Sequence, residues 1–266
     1  MSTLYLTHPS YLEHNNGPGH PERPERLEAI AKVVAHDDFA ALEHVEPRIA
    51  DEAIIELAHP RDYIDALKSA RPSDGIRQLD PDTAMVPGTW DAALRAVGAG
   101  LTAVDKVMSG DARNAFCAVR PCGHHAERTR AMGFCLFANV AIAGLYARET
   151  YDVERVAVVD FDVHHGNGTQ DVFWSDKNMF LASTHQMPLF PGTGARSEEG
   201  ESGNIRNAPL SPGSDGRIFK EAFRDAVLPA LNDFDPDFIL ISAGFDAHAK
   251  SSSTRLTLAS GSLRWA

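Results

Sequence analysis

Long apolar runs are missing from this 266-residue chain. Nothing approaches the ~20 consecutive apolar residues that span a bilayer, so no membrane association is expected. Cysteine is scarce. The three present, Cys117, Cys122 and Cys135, are an odd number without a CxxC pair. That excludes a disulfide-stapled miniprotein and suits free thiols in a reducing cytoplasm. Positive charge is in deficit: 25 Lys and Arg face 37 Asp and Glu, a net charge of −12. This argues against nucleic-acid phosphates as partners and mildly favours cationic substrates. The opening MSTLYLTHPSYLEHNN lacks a basic segment leading into an apolar core, so no secretory signal is expected. Internal repeats and low-complexity tracts are absent too. With 43% hydrophobic and 23% charged residues, the composition is that of an ordinary globular protein.

Histidine is plentiful: there are 12, with two adjacent pairs at His124–His125 and His164–His165. Around them the hydrophobic pattern alternates between strand-like and helix-like. LYLTH, 115–119, 156–160, 178–183 and 238–242 read as strands, with the run at 156–160 apolar enough to be buried on both faces. The stretches 24–35, 50–58, 62–70, 90–108, 137–148 and 219–231 read as helices, the fifth strand being a last buried one. Small residues Gly98, Ala99 and Gly100 suit close helix packing. This order predicts an α/β protein whose mainly parallel sheet is covered by helices on both faces, a three-layer α/β/α arrangement. Segments 14–24 and 186–212, rich in Gly and Pro, read as site-building loops.

Three polar clusters follow directly on three of these strands: RPCGHHAE, DFDVHHGNG and AGFDAH. In open α/β sheets, ligands bind outside the carboxyl ends of the strands. Alternation along an extended chain puts Asp160, Asp162 and His164 on one side, with Phe161 and Val163 opposite. Asp162 and His164 are then placed to chelate one ion, with Asp160 behind them and Asp246 completing two carboxylates and an imidazole. Such a set fits a catalytic zinc site and also accepts Fe(II), Co(II) or Mn(II). His124 and His125 suit proton transfer to and from an attacking water, with Asp160 and Asn167 as orienting partners. Phe134 and Phe190, in loops, suit the walls of a narrow channel for an extended acyl-amine. Cys122 is expected to be a buried thiol, unreactive or mildly redox-sensitive.

The ordered motifs GPGHPERPERL, RPCGHH, GFCLFANVAIA, VVDFDVHHGNGTQ, STHQ, FPGTG and ISAGFDAH resemble the histone deacetylase superfamily, which includes deacetylase-like amidohydrolases and acetylpolyamine amidohydrolases. The match runs from about residue 4 to 248, and the HPERPERL and HHGNG forms look class II-like. The resemblance implies one catalytic domain over 1–266 with the arginase/deacetylase-like fold on an eight-stranded sheet. It implies Asp162, His164 and Asp246 as zinc ligands, and His125 as main acid–base with His124 more electrostatic. Asp160 and Asn167 match the histidines' partners. Gly133, Phe134 and Phe190 match the acyl channel, and Asp160 and Ser183 a structural potassium site. The implied reaction is hydrolysis of acetyl-lysine-type or acetylpolyamine amides.

Three departures stand against the pattern: Cys122 where proline is usual, a serine run after His248, and no Gly-rich segment with the oxyanion-stabilising tyrosine before Ala266. Losing such a donor costs ~10²–10³ in kcat, which favours activated aryl esters over ordinary amides. A sheet edge left open there would favour self-association. Two other classes compete with the zinc hydrolase. One is a dimanganese ureohydrolase, which would require a second bridging carboxylate in AGFDAH. The other is a metal- and acyl-lysine-binding relic, or a subunit that borrows its tyrosine. The sequence predicts an ester-to-amide rate ratio well above that of a tyrosine-bearing relative, read with p-nitrophenyl acetate and a fluorogenic acetyl-lysine peptide.

Overall fold

A computed structural model describes residues 2–248, and the serine-rich tail discussed above lies outside the described residues. Contacts within the chain group it into two compact units, Met1–Tyr151 and a second beginning at Asp152.

The first unit holds β1 (Ser2–Leu6), α1 (Glu25–Val34), β2 (Leu42–Val45), α2 (Glu52–Ile55), α3 (Arg61–Ala70), β3 (Arg77–Asp80), β4 (Thr83–Met85), α4 (Thr89–Met108), β5 (Ala112–Cys117) and α5 (Asn139–Thr150). Strand β1 lies between β2 and β5, parallel to both. Its side chains alternate between two apolar clusters. Leu4 and Leu6 meet Ala99 and Ala112, while Tyr5 joins Tyr11, Leu27, Ala92 and Ala96. A strand buried on both faces is what parallel pairing under helices requires. Helix α4 approaches α5 closely through small residues: a Cβ added at Gly100 would lie 3.1 Å from the Ala143 Cβ. Strands β3 and β4 form a short antiparallel hairpin that the sequence pattern did not foretell.

The second unit holds β6 (Val156–Asp160), α6 (Asn167–Phe173), β7 (Met179–Gln186), β8 (Ile205–Leu210), α7 (Gly216–Ala222), a wider π-type turn (Phe223–Val227), α8 (Leu228–Phe234) and β9 (Phe238–Ser242). The four strands run parallel in the order β8-β7-β6-β9. All residues of β6 and β7 are buried, as their β-branched and apolar content predicts. The Asp215 carboxylate caps α7 by accepting from the Arg217 and Ile218 N–H groups, each at 3.0 Å. Phe219, Phe223 and Val227 recur at helical spacing and pack on Ala157, Val159, Phe180 and Ala182. The π-type turn sits just ahead of Pro229, which has no N–H to give the helix ladder.

Two expectations are corrected. Segment 186–212 is not one loop, because β8 occupies its end. Polar Arg206 and Asn207 and Pro209 hide that strand in the sequence. It pairs only with β7 among the described residues, and an edge strand tolerates a proline. Strand β9 is not buried on both sides. Ile239 and Ile241 are exposed on one face, and β9 pairs only with β6 among the described residues. Where the resemblance implies eight strands in one sheet, the described residues carry seven parallel strands, three in the first unit and four in the second. No described helix is long and apolar enough to cross a membrane.

Leu181, wholly buried in β7, measures the second unit's core. Leu181→Ala is expected to lower the unfolding free energy by about 2–5 kcal/mol, read as a lower urea midpoint at unchanged slope.

Candidate active site

In the second unit, the regular strand stops at Asp160, so the expected strand through His164 is corrected to an irregular segment. The alternation nonetheless survives, for a different reason. Phe161 and Val163 are locked into the core, at 8% and 1% exposure, which turns Asp162 and His164 away from it. Side chains then fix the backbone. The Asp160 Oδ1 accepts the Asp162 N–H at 3.0 Å, and the Asp162 Oδ1 accepts the His164 N–H at 2.8 Å. Both are local turns of the kind aspartate favours. Asp246 arrives from β9, four residues beyond Ser242, the register partner of Asp160. Its Oδ1 accepts the Val163 N–H at 3.2 Å.

The result is a triad of possible ligands. His164 Nδ1 lies 2.9 Å from Asp162 Oδ1 and 3.0 Å from Asp246 Oδ2. One ligand atom from each of the three residues lies within 4.8 Å of the other two. Burial alone lowers the His164 imidazole, but the two carboxylates outweigh it and raise the group to about 9. Two anions facing one point create a place that favours positive charge, and the oxygen–nitrogen donor set fits a borderline divalent ion such as zinc. Gly244, which sequence reasoning missed, makes room for this arrangement. A Cβ there would collide with the Asp162 carboxylate. The Phe190 ring stands edge-on to His164, with centroids 6.3 Å apart, and is itself 39% exposed.

The neighbouring histidine serves the scaffold. His165 Nδ1 lies 2.8 Å from the Thr193 hydroxyl, and Nε2 lies 3.0 Å from Gln170 Oε1. The Gln170 amide in turn donates to Glu198 at 2.7 Å, and Glu198 accepts the Gly194 and Ala195 N–H groups. Ser183, wholly buried on β7, contacts His185 Nδ1 at 2.8 Å, and His185 Nε2 reaches the Gly194 carbonyl at 3.0 Å. A carbonyl can only accept, so His185 carries its proton on Nε2 and takes the Ser183 hydroxyl at Nδ1. Burial lowers this imidazole to about 4, so it is neutral at physiological pH. The FPGTG loop that carries Phe190 is pinned by this network. Asn167 is buried at the start of α6, and Asp160 is fully buried at the end of β6.

In the first unit, His124 and His125 are both buried, with ring centroids 3.9 Å apart. Gly123 precedes them because no side chain fits: a Cβ would lie 2.6 Å from the Asn139 nitrogen. Gly133, at φ +56°, packs against the His125 ring so closely that a Cβ would overlap it. The Gly133 N–H donates to Asp82 Oδ1 at 3.1 Å and the Phe134 N–H to the Thr83 hydroxyl at 2.9 Å, which holds Phe134 at φ +69°. The Phe134 ring meets His20 edge-on at 4.5 Å.

Segment 14–24 is a built loop rather than a mobile one, and sequence reasoning missed what holds it. His14, Asn16 and Glu22 are buried. The Arg120 guanidinium, at the root of the histidine loop, clasps both Glu22 oxygens and the Tyr11 carbonyl. Burial alone raises the Glu22 carboxyl, but hydrogen bonds from His14 and Arg120 and the Arg120 charge hold it at about 2. The stabilisation is therefore complete above the usual carboxylate pKa and is lost as pH falls from about 4.5 towards 2. Glu22→Gln is expected to be less stable than wild type at pH 7, with the gap narrowing by on the order of 2 kcal/mol as pH falls to 3. Paired urea titrations from pH 7 to 3 measure it.

The histone deacetylase domain family matches residues 20–266. A probable deacetylase of Archaeoglobus fulgidus is 37% identical over 265 residues, covering 97% of this chain and 73% of the relative. A histone deacetylase-like amidohydrolase of Pseudomonas aeruginosa is 38% identical over 253 residues, covering 92% of this chain and 66% of the relative. Among solved structures, the HDA15 HD domain superposes with a TM-score of 0.92 at 33% identity, covering 97% of this chain and 76% of that one.

Proposed function

Because this chain belongs to the histone deacetylase family and shares its α/β fold, we propose that it is a zinc-dependent hydrolase that removes acyl groups from acetyl-lysine-type or acetylpolyamine amides and cleaves activated acyl esters. The observation that carries this reading is the convergence of Asp162, His164 and Asp246 from two strand ends. A divalent ion held by these three would polarise the acyl carbonyl and lower the pKa of the attacking water to roughly 7.

The remaining roles fall to this chain's own groups. His125 takes a proton from the attacking water and delivers it to the leaving amine, and His124 stabilises the charge that develops. The resemblance makes Asp160 and Asn167 the candidates for orienting the pair. Gly133 and Phe134 in the first unit, and Phe190 in the second, are the candidates for the acyl path, where an aromatic wall would select a slender apolar chain over a branched one. Asp160 and Ser183, register partners on β6 and β7, would hold a structural potassium ion. An oxygen donor set suits such a hard cation, and the Ser183 oxygen keeps lone pairs free because its proton points to His185. The net charge of −12 favours substrates with a cationic amine end.

Metal analysis is expected to find one zinc equivalent, abolished in Asp162→Asn and Asp246→Asn. Hydrolysis of p-nitrophenyl acetate and an acetyl-lysine peptide should vanish on chelation and fall by about 10²-fold or more in His125→Ala. Bound zinc without turnover of either substrate would replace the enzyme by a metal- and acyl-lysine-binding protein. Two manganese equivalents would point to a ureohydrolase.

A further inference from the structure

Cys122 and Cys135 come from segments 13 residues apart, yet their sulfurs lie 3.3 Å from each other. Both face the Gly133 carbonyl, at 3.8 Å from Cys122 and 3.2 Å from Cys135. Cys135 is wholly buried and Cys122 partly exposed. We propose that this pair is a modification site at which a peroxide closes a Cys122–Cys135 disulfide, and that closure shifts the loop packed on His125.

The chemistry balances with hydrogen peroxide as oxidant. Cys122, the less buried of the two, loses its proton, and its thiolate attacks one peroxide oxygen; the O–O bond breaks, and the departing hydroxide takes up the released proton, leaving Cys122 sulfenic acid and water. The Cys135 sulfur then attacks the sulfenic sulfur. The S–S bond forms, the S–O bond breaks, and the departing hydroxide leaves as water with the Cys135 proton. Two thiols have lost two electrons and two protons, and one peroxide has become two waters. The hydrogen bond from Cys135 draws the Cys122 thiol below its usual pKa, against the opposing effect of burial. Burial pushes Cys117 up to about 12, so that thiol stays protonated and slow.

The geometry links the bond to the histidines. A disulfide has an S–S length of about 2.05 Å, so the sulfurs must draw together by over an ångström. Cys122 stands two residues before His124, and Cys135 two after Gly133, whose backbone abuts the His125 ring. A displacement of about 1 Å at a catalytic group can cost 10²-fold in rate. The rate effect rests on the hydrolase proposed above, whereas the bond itself does not.

The test treats the full chain with hydrogen peroxide, alkylates remaining thiols and maps peptides by mass spectrometry. The expected product is a Cys122–Cys135-linked peptide, reversed by dithiothreitol, with Cys117 alkylated throughout. The His124 and His125 imidazole NMR signals should shift and return with reduction, and ester hydrolysis should fall reversibly by tenfold or more. Cys135→Ser should give no linked peptide. If that variant does not fold, oxidised and re-reduced wild type carry the comparison. Free alkylation of both thiols, or Cys122 passing to sulfinic acid unlinked, overturns the site. A linked peptide with unmoved imidazole signals overturns the displacement. No turnover before oxidation is a failure of the proposed hydrolase and leaves the peptide and NMR results to decide.

Discussion

Two carboxylates of the same sign, Asp162 and Asp246, are held against one imidazole. Left in water they would part. They stay because the chain on either side is committed elsewhere. Phe161 and Val163 belong to the core, Asp246 is tied to the Val163 amide, and Gly244 leaves space where any side chain would push Asp162 aside. The energy that assembles this electrostatically unfavourable point is the hydrophobic burial of its neighbours. A raised His164 is the mirror of the same fact, since the two anions draw a positive charge into the place between them. The division is between apolar side chains that hold and polar side chains that face outward, residue by residue.

Much of this was legible in the sequence because it is local. The β6 run is unbroken and apolar, and its predicted limits match the structure. The three residues that converge follow strand ends at short spacing, so the cluster of Asp162, His164 and Asp246 could be picked out from pattern alone. What was illegible depends on partners distant along the chain. Strand β8 is a strand because β7 pairs with it, and its polar residues give no periodic signal. The exposed face of β9 follows from what lies beside it, and FILIS alone does not reveal which side is covered. Gly244 reads as part of a motif, but its reason, the carboxylate against it, exists only in the fold. Cys122 read as a buried thiol, unreactive or mildly redox-sensitive, and only the fold sets its neighbour 13 residues on beside it. The adjacent pair His164–His165 shows the limit most plainly. One ring faces the carboxylates and the other is fastened to Thr193 and Gln170, and nothing in the letters separates them.

The histidine-bearing loop of the first unit is supported by an ionic contact between residues 98 positions apart, Arg120 and Glu22. Closing so long a span costs chain entropy before the contact returns anything. Until it closes, each partner is a charge that cannot be buried without large cost. Order in the loop therefore depends on the packing of the elements that bring the two residues together. The first unit thus carries an internal checkpoint: a chain that has collapsed but mispaired α1, β1 or α4 leaves Arg120 in water. His124 and His125 then lack the support that fixes them. The order of the histidine pair is thus conditional on completion of the surrounding fold.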